Sequence, residues 1–380
     1  MKKIICIFGT RPEAVKMVPV VSELKEKKDM FGTKVLVTAQ HRGMLDQVLG
    51  LFGIEPDYDL NVMQSSQSLA YITTSVLSRV QDILRKEKPD LVLVHGDTTT
   101  TFSSALAAFY EGIPAGHVEA GLRSYDKFNP YPEEVNRHLT DVLCDLHFVP
   151  TRGAKTNLLA ENLKKDNIFV TGNTVIDTLL MAVKKNHRFR EKGLNGIDFK
   201  RKVILVTAHR RENWGAPLTD ICLALKALVR KYRDVEIVYP VHLNPSVKNT
   251  VYPVLGHIPA VHLMPPLDYI DFVNLMNKSY LILTDSGGLQ EEAPSLGKPV
   301  LVLRKVTERP EAVSAGTVKV IGVSKDRIVR ETSHLLDDAK TYGRMAGAVN
   351  PYGDGKARVR TVRGIMYYLG MAKKKPEEWK

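Results

Sequence analysis

Two hydrophobic rhythms alternate along the chain. Short, continuous β-rich runs predict strands over 4–8, 34–38, 91–94 and 115–118. Between them, apolar residues recur at helical spacing and predict helices over 14–27, 44–52, 69–86 and 100–110. The pattern loosens over 171–201, where the polar, glycine-bearing stretch 184–196 reads as a hinge. It then resumes, with strands over 203–207, 236–239, 281–284 and 300–303 and helices over 218–232, over 269–277 and from 289. Strands that are apolar throughout suit parallel sheets covered on both faces. Crossovers in such sheets are right-handed, so the expected fold class is α/β, doubly wound, in two halves of similar size.

Composition narrows the class further. A chain of 380 residues with 44% apolar content is neither a disordered tail nor a disulfide scaffold. Three cysteines, Cys6, Cys144 and Cys222, sit among apolar neighbours and suit reduced, buried thiols in a cytoplasmic protein. No apolar run approaches the roughly 18 residues needed to cross a bilayer, so no membrane partner is expected. Met1 to Phe8 is too short for a signal peptide and reads as the first strand. A net charge of +12 allows an acidic partner without choosing one. Without zinc-finger spacing, a basic helix leading into heptads or an aromatic RNA-binding signature, a phosphorylated small molecule is favoured over nucleic acid.

Ligands of such sheets bind beyond the carboxyl ends of the strands. The first strand ends in Gly9-Thr10-Arg11-Pro12-Glu13, with Lys16 one turn on. Two cations at a helix N-terminus work against its dipole, which points to a phosphate clamp. The strand 91–94 runs into His95-Gly96-Asp97, and the strand 115–118 runs into Glu119. Glu133-Glu134 adds a third acidic position. Asp97 alone could be a helix N-cap. Three such positions in one half-chain favour an acid/base site, with His95 and His117 as packing or supporting residues.

In the second half, His209-Arg210-Arg211 follows a strand and offers bidentate geometry to a diphosphate. Asp285-Ser286-Gly287-Gly288 opens a helix with unobstructed backbone N–H groups, and Glu292 lies one turn in, placed for ribose hydroxyls. No dinucleotide or P-loop fingerprint is present, and His and Cys show no metal-ligand spacing, so neither cofactor nor metal is expected.

Together these segments resemble the non-hydrolysing UDP-N-acetylglucosamine 2-epimerases. The match runs from Phe8-Gly9-Thr10-Arg11-Pro12-Glu13-Ala14 to Asn350-Pro351-Tyr352-Gly353-Asp354-Gly355, through the Asp97, Glu119, His209 and Asp285 segments and Thr307-Glu308-Arg309-Pro310-Glu311. The resemblance implies two Rossmann-like doubly wound domains facing a central cleft, of the glycosyltransferase-B-like type. It implies an N-terminal domain over 1–180 carrying the carboxylates and a UDP-binding domain over 181–380, with the last helix packing back on the first. It implies a homodimer and reversible epimerisation of UDP-N-acetylglucosamine to UDP-N-acetylmannosamine, for polysaccharide biosynthesis. The route is anti elimination of UDP to 2-acetamidoglucal, then re-addition. By motif, Asp97, Glu119 and Glu133 resemble the catalytic carboxylates, Arg137 their support, and His209 a catalytic partner of departing UDP. Arg11, Lys16, Ser286, Gly287, Gly288, Glu292 and Arg309 resemble the UDP site, with Phe272 near the uracil. Gln40, His41, Arg210 and His242 match an activating second substrate site, although Gly43, Ser66 and Lys305-Val306 depart from the regulated pattern. A hydrolysing epimerase, a UDP-sugar glycosyltransferase and a non-catalytic UDP-sugar sensor are the alternatives.

Overall fold

A computed structural model of the chain describes residues 1–38, 42–62 and 67–380. They fall into two compact units, one formed by Met1–Thr178 with Tyr352–Lys380, the other by Leu179–Pro351. No described helix is long and apolar enough to cross a membrane.

Among its described residues the first unit holds seven strands: β1 (Lys2–Phe8), β2 (Phe31–Val37), β3 (Tyr58–Asp59), β4 (Leu91–His95), β5 (Ala115–Val118), β6 (Leu146–Val149) and β7 (Ile168–Val170). All pair in parallel, in the order β3-β2-β1-β4-β5-β6-β7. Their Ile, Val and Leu side chains are buried on both faces, as helix-covered parallel strands require. The helix Leu69–Glu87 shows how a face is covered. Ile72, Val76, Val80 and Leu84 lie one turn apart on the sheet-facing stripe, and Ser68 caps its start by accepting from the Tyr71 amide. The C-terminal helix Ala357–Tyr368 also belongs to this unit. Asp177 accepts from the amides of Ala357 and Arg358 at its start, and Gly364 lets it approach Phe148 and Phe169.

The second unit repeats the plan with six strands: β8 (Lys202–Thr207), β9 (Val235–Pro240), β10 (Val261–Met264), β11 (Leu281–Thr284), β12 (Val300–Val302) and β13 (Val318–Val320). Their order is β10-β9-β8-β11-β12-β13, again all parallel. The helix Ala216–Lys231 presses Leu218, Ile221, Cys222, Leu225 and Leu228 into this core. In both units the chain direction across the sheet reverses beside the first strand, between β1 and β4 and between β8 and β11. That reversal opens a crevice at the carboxyl ends of the strands, where doubly wound folds bind ligands.

The loosened stretch differs from the expectation. A helix forms at Thr174–Ala182, where Val175, Ile176, Leu179 and Ala182 are buried. Their helical spacing is hidden in the sequence by so short a run. The chain passes from the first unit to the second inside this helix.

Candidate active site

In the first unit, β1, β4 and β5 deliver their terminal loops to one small cavity of about 180 Å3. Thr10, Lys16, His95, Asp97, Glu119 and Arg137 are among its lining residues. Glu119 stands just past β5 with φ +69°, a left-handed backbone that a residue with a side chain adopts at a cost of about 1–3 kcal/mol. Its carboxylate is held by Lys16 Nζ, 2.7 Å from Oε1 and 2.5 Å from Oε2. His95 Nε2 lies 3.0 Å from Oε2 but is misaligned for a hydrogen bond. Burial alone would push the Glu119 pKa up, but the Lys16 charge and the His95 contact outweigh it and hold the carboxyl well below its ordinary range.

Asp97 behaves oppositely. Burial raises its pKa, and the opposing pull of Arg137 does not offset this, while Glu119 and Glu133 add like charge. About a third of the side chain (32%) still meets solvent. Arg137 Nη2 donates to Asp97 Oδ2 at 2.7 Å. The capping role open to Asp97 falls instead to Thr98, whose hydroxyl accepts from the Thr101 amide at the head of the helix Thr99–Tyr110. Glu133 opens the helix Glu133–Leu143, and its Oε2 is buried with no hydrogen-bond partner among the described residues. Its neighbour Glu134 does other work, accepting from the amides of Ser124 and Tyr125 and so pinning the loop after Glu119.

Glu13 supports the site from beneath the strand ends. It is buried, and its Oε2 accepts from the amides of Gly9 and Thr10 while Oε1 accepts from the hydroxyls of Thr98 and Thr101. One carboxylate thus ties the loop carrying Arg11 to the loop carrying Asp97. The signal was present as Thr10-x-x-Glu13, the spacing of a capping box. His117 is a supporting residue: fully buried, it meets Asp141 Oδ1 at 2.6 Å and the Gly96 carbonyl at 2.7 Å, which fixes the turn before Asp97.

In the second unit, His209 and Arg210 leave β8 beside Asp285, which ends β11. The amides of His209 and Arg210 both donate to Asp285 Oδ2 at 2.8 Å. The His209 ring stacks on His242, centroids 5.3 Å apart and 13° from parallel. Burial lowers the His209 pKa; Asp285 opposes, and His242 and Arg210 reinforce the fall. Ser286 precedes the short helix Gly287–Glu292. Guanidinium nitrogens of Arg210 and Arg309 come within 3.7 and 4.0 Å of where a Gly287 Cβ would stand, so the absence of that Cβ leaves two cations beside bare backbone. Arg309 also donates to Glu291, which is buried, whereas Glu292 at the helix end is only partly so. Phe272 is half-buried on the helix Tyr269–Lys278.

The structure therefore brings Lys16, Asp97, Glu119 and Arg137 together in the first unit, with Lys16 paired to Glu119. It brings His209, Arg210, His242, Gly287 and Arg309 together in the second. Gln40, His41 and Ser66 lie outside the described residues.

Comparison with known proteins agrees along almost the whole chain. The family model described as UDP-N-acetylglucosamine 2-epimerase matches residues 22–366. A Bacillus subtilis (strain 168) protein named UDP-N-acetylglucosamine 2-epimerase is 52% identical over 377 residues, covering 99% of this chain and 98% of that one. Its Escherichia coli K12 namesake is 54% identical over 369 residues, covering 96% and 98%. The crystal structure of the Neisseria meningitidis UDP-GlcNAc 2-epimerase bound to UDP-GlcNAc superposes with a TM-score of 0.84 at 51% identity, over 96% of this chain and 100% of that one.

Proposed function

Because the chain belongs to the UDP-N-acetylglucosamine 2-epimerase family, we propose that it interconverts UDP-N-acetylglucosamine and UDP-N-acetylmannosamine without hydrolysis, by anti elimination of UDP and its return to 2-acetamidoglucal. The proton at the acetamido-bearing carbon is hardly acidic, since no carbonyl adjoins it in the ring. Breaking the anomeric C–O bond builds oxocarbenium character next door and acidifies it. The reaction needs an anion sink for the departing nucleotide and carboxyl groups for the proton, acting on one substrate.

The observation that carries this reading is the divergence of two carboxyl groups at one cavity. Asp97, with its pKa raised, is the better Brønsted base for the sugar proton. Glu119, kept anionic by Lys16, suits the developing positive charge at the anomeric carbon. Glu133 remains for the opposite face of the ring. From the family resemblance we assign Arg11, Lys16, His209, Arg309 and the Ser286 to Gly288 amides to the departing UDP, with Glu292 for the ribose and Phe272 for the uracil. Arg210 and His242, with Gln40 and His41, are assigned to a second, activating substrate molecule.

The same reading makes the enzyme a cytoplasmic homodimer. Three buried free thiols, Cys6, Cys144 and Cys222, support a reducing compartment. The helix Glu133–Leu143 exposes Val135, Leu139 and Val142 on one stripe, and Phe109 and Tyr110 are exposed at the end of the helix Thr99–Tyr110. An exposed apolar stripe of this kind suits a contact with a second copy of the chain.

An NMR time course in heavy water with UDP-N-acetylglucosamine tests the reading. Deuterium should enter at carbon 2 as UDP-N-acetylmannosamine appears, with no net free sugar. Release of N-acetylmannosamine with stoichiometric UDP would assign a hydrolysing enzyme instead, and epimerisation without deuterium would exclude the elimination route.

A further inference from the structure

Where the second sheet reverses, the ends of β8 and β11 bring His209 and Asp285 side by side. Asp285 is fully buried, and its two oxygens are treated unequally. Oδ2 is saturated, accepting from the His209 and Arg210 amides at 2.8 Å each and from the Asn213 side-chain amide at 3.0 Å. Oδ1 is buried with no hydrogen-bond partner among the described residues. A buried polar atom left without a partner costs about 1–3 kcal/mol, so the site is short of one donor. The nearby group able to supply it is the His209 imidazole, whose Nδ1 stands 3.7 Å from Oδ1.

The surroundings allow that ring to turn while fixing its backbone. Trp214 Nε1 donates to the His209 carbonyl at 3.0 Å, which with the amide bond to Asp285 holds the main chain. The stack on His242 constrains the ring's plane but not a small rotation within it.

We propose that Asp285 is a positioning residue: when UDP is bound it accepts the Nδ1–H of His209 through its empty oxygen, so that Nε2 is the ring atom presented to the diphosphate. This rests on the reading of His209 as a partner of departing UDP. With Nδ1–H committed to Asp285, Nε2 can serve as a donor only in the doubly protonated ring. The charged groups facing that ring act in opposite directions. Arg210 and His242 disfavour its protonation, while Asp285 favours it and a bound diphosphate would add to that. The carboxylate thus sets the tautomer and supports the charge with which the ring meets the leaving group.

The test uses full-length protein labelled with 15N-histidine, with and without UDP, and His209→Gln to assign the signal. In Asp285→Asn the three donors now meeting at Oδ2 require the amide oxygen there, which turns the NH2 group toward His209 Nδ1. That group can only donate to the ring, forcing the Nε2–H tautomer. Wild-type protein with UDP should show a protonated, hydrogen-bonded Nδ1, and Asp285→Asn should lose it. Turnover of Asp285→Asn should fall at least about tenfold, while UDP affinity changes less than about threefold. A His209 Nδ1 without a proton in the UDP complex overturns the proposal, and so does a folded Asp285→Asn with wild-type kcat. Should that variant fail to fold, the wild-type Nδ1 signal decides alone. If UDP perturbs no histidine signal, the functional reading itself fails and this proposal with it; binding with the wrong tautomer removes only the role of Asp285.

Discussion

At the scale of single residues, function rests on how environment separates like groups. Glu119 and Asp97 are both carboxylic acids at strand ends, yet a lysine holds one anionic and burial makes the other easier to protonate. Replacing Lys16 with Met should therefore raise the Glu119 pKa, because burial would then be opposed by the His95 contact without the ammonium. Carbon-13 titration of the Glu119 carboxyl reads this directly; an unmoved midpoint would mean that Lys16 is not what holds it down. Asp97→Asn should remove most deuterium exchange and yet stabilise the fold. The raised folded-state pKa means stability is full below the unfolded value and is lost as pH rises through the folded one. The variant should thus melt slightly above wild type at pH 7.5, an advantage that disappears toward pH 4; the partial exposure of Asp97 keeps the gain small. A lower melting point at pH 7.5 would show that Arg137 contributes more than burial takes away. Asp97 and Glu119 stood out in the sequence as strand-end carboxylates, because Glu119 directly follows a buried apolar run and Asp97 follows one after His95 and Gly96. The pairing of Lys16 with Glu119 was not legible, since 103 positions separate the two and only the fold brings them together. For the same reason Glu13 reads as a helix cap, and its tie to Thr98 and Thr101 exists only in the folded chain.

At the scale of elements, the parallel architecture could be read because its strands are continuous in Val, Ile and Leu, and the structure reproduces them within a few residues. Five strands escaped: β3, β7 and β13, of two or three residues, are too short to show any period, and in β6 and β10, of four residues each, a histidine (His147, His262) interrupts the apolar run. Close approach was also invisible. Gly364 lies inside the helix Ala357–Tyr368, where glycine costs up to about 1 kcal/mol against alanine, so the sequence suggests a flaw. The structure gives the reason: a Cβ there would stand 2.8 Å from Phe148 and 3.4 Å from Phe169, two stacked rings of the first sheet. Gly364→Ala should therefore destabilise, with an overpacking cost of about 1–3 kcal/mol exceeding the gain in helix propensity. Urea unfolding of the variant should show a lower midpoint; a higher one would mean the rings shift aside freely. Gly121 poses a harder constraint beside the site. Its φ is +78° and a Cβ would meet the Ala154 carbonyl at 2.5 Å, so Gly121→Ala should disturb the loop after Glu119 and lower turnover more than Gly364→Ala does.

At the scale of the molecule, one helix joins chemistry to the proposed assembly. The inner face of Glu133–Leu143 buries Glu134, Asn136, Thr140 and Asp141, which fix the Ser124 to Tyr125 loop, the Asp97 carbonyl and His117. Its outer face exposes Val135, Leu139 and Val142, the last by 72%. A lone chain gains nothing by presenting such a stripe to water, since the inner face needs only the polar residues that make its bonds. Covering it with the same stripe of a second copy removes apolar area at about 25 cal/mol per Å2 and stiffens the helix that carries Glu133 and Arg137. Leu139→Glu with Val142→Glu puts charge on the stripe and leaves every bond of the inner face in place. If the proposed assembly holds, wild type should sediment as a dimer and the double variant as a monomer. Its turnover should fall with it, because a helix freed on its outer side holds Arg137 less firmly against Asp97. A variant that stays dimeric would place the subunit contact elsewhere; one that becomes monomeric with full activity would show that the inner-face bonds alone are enough to hold the carboxylates in register.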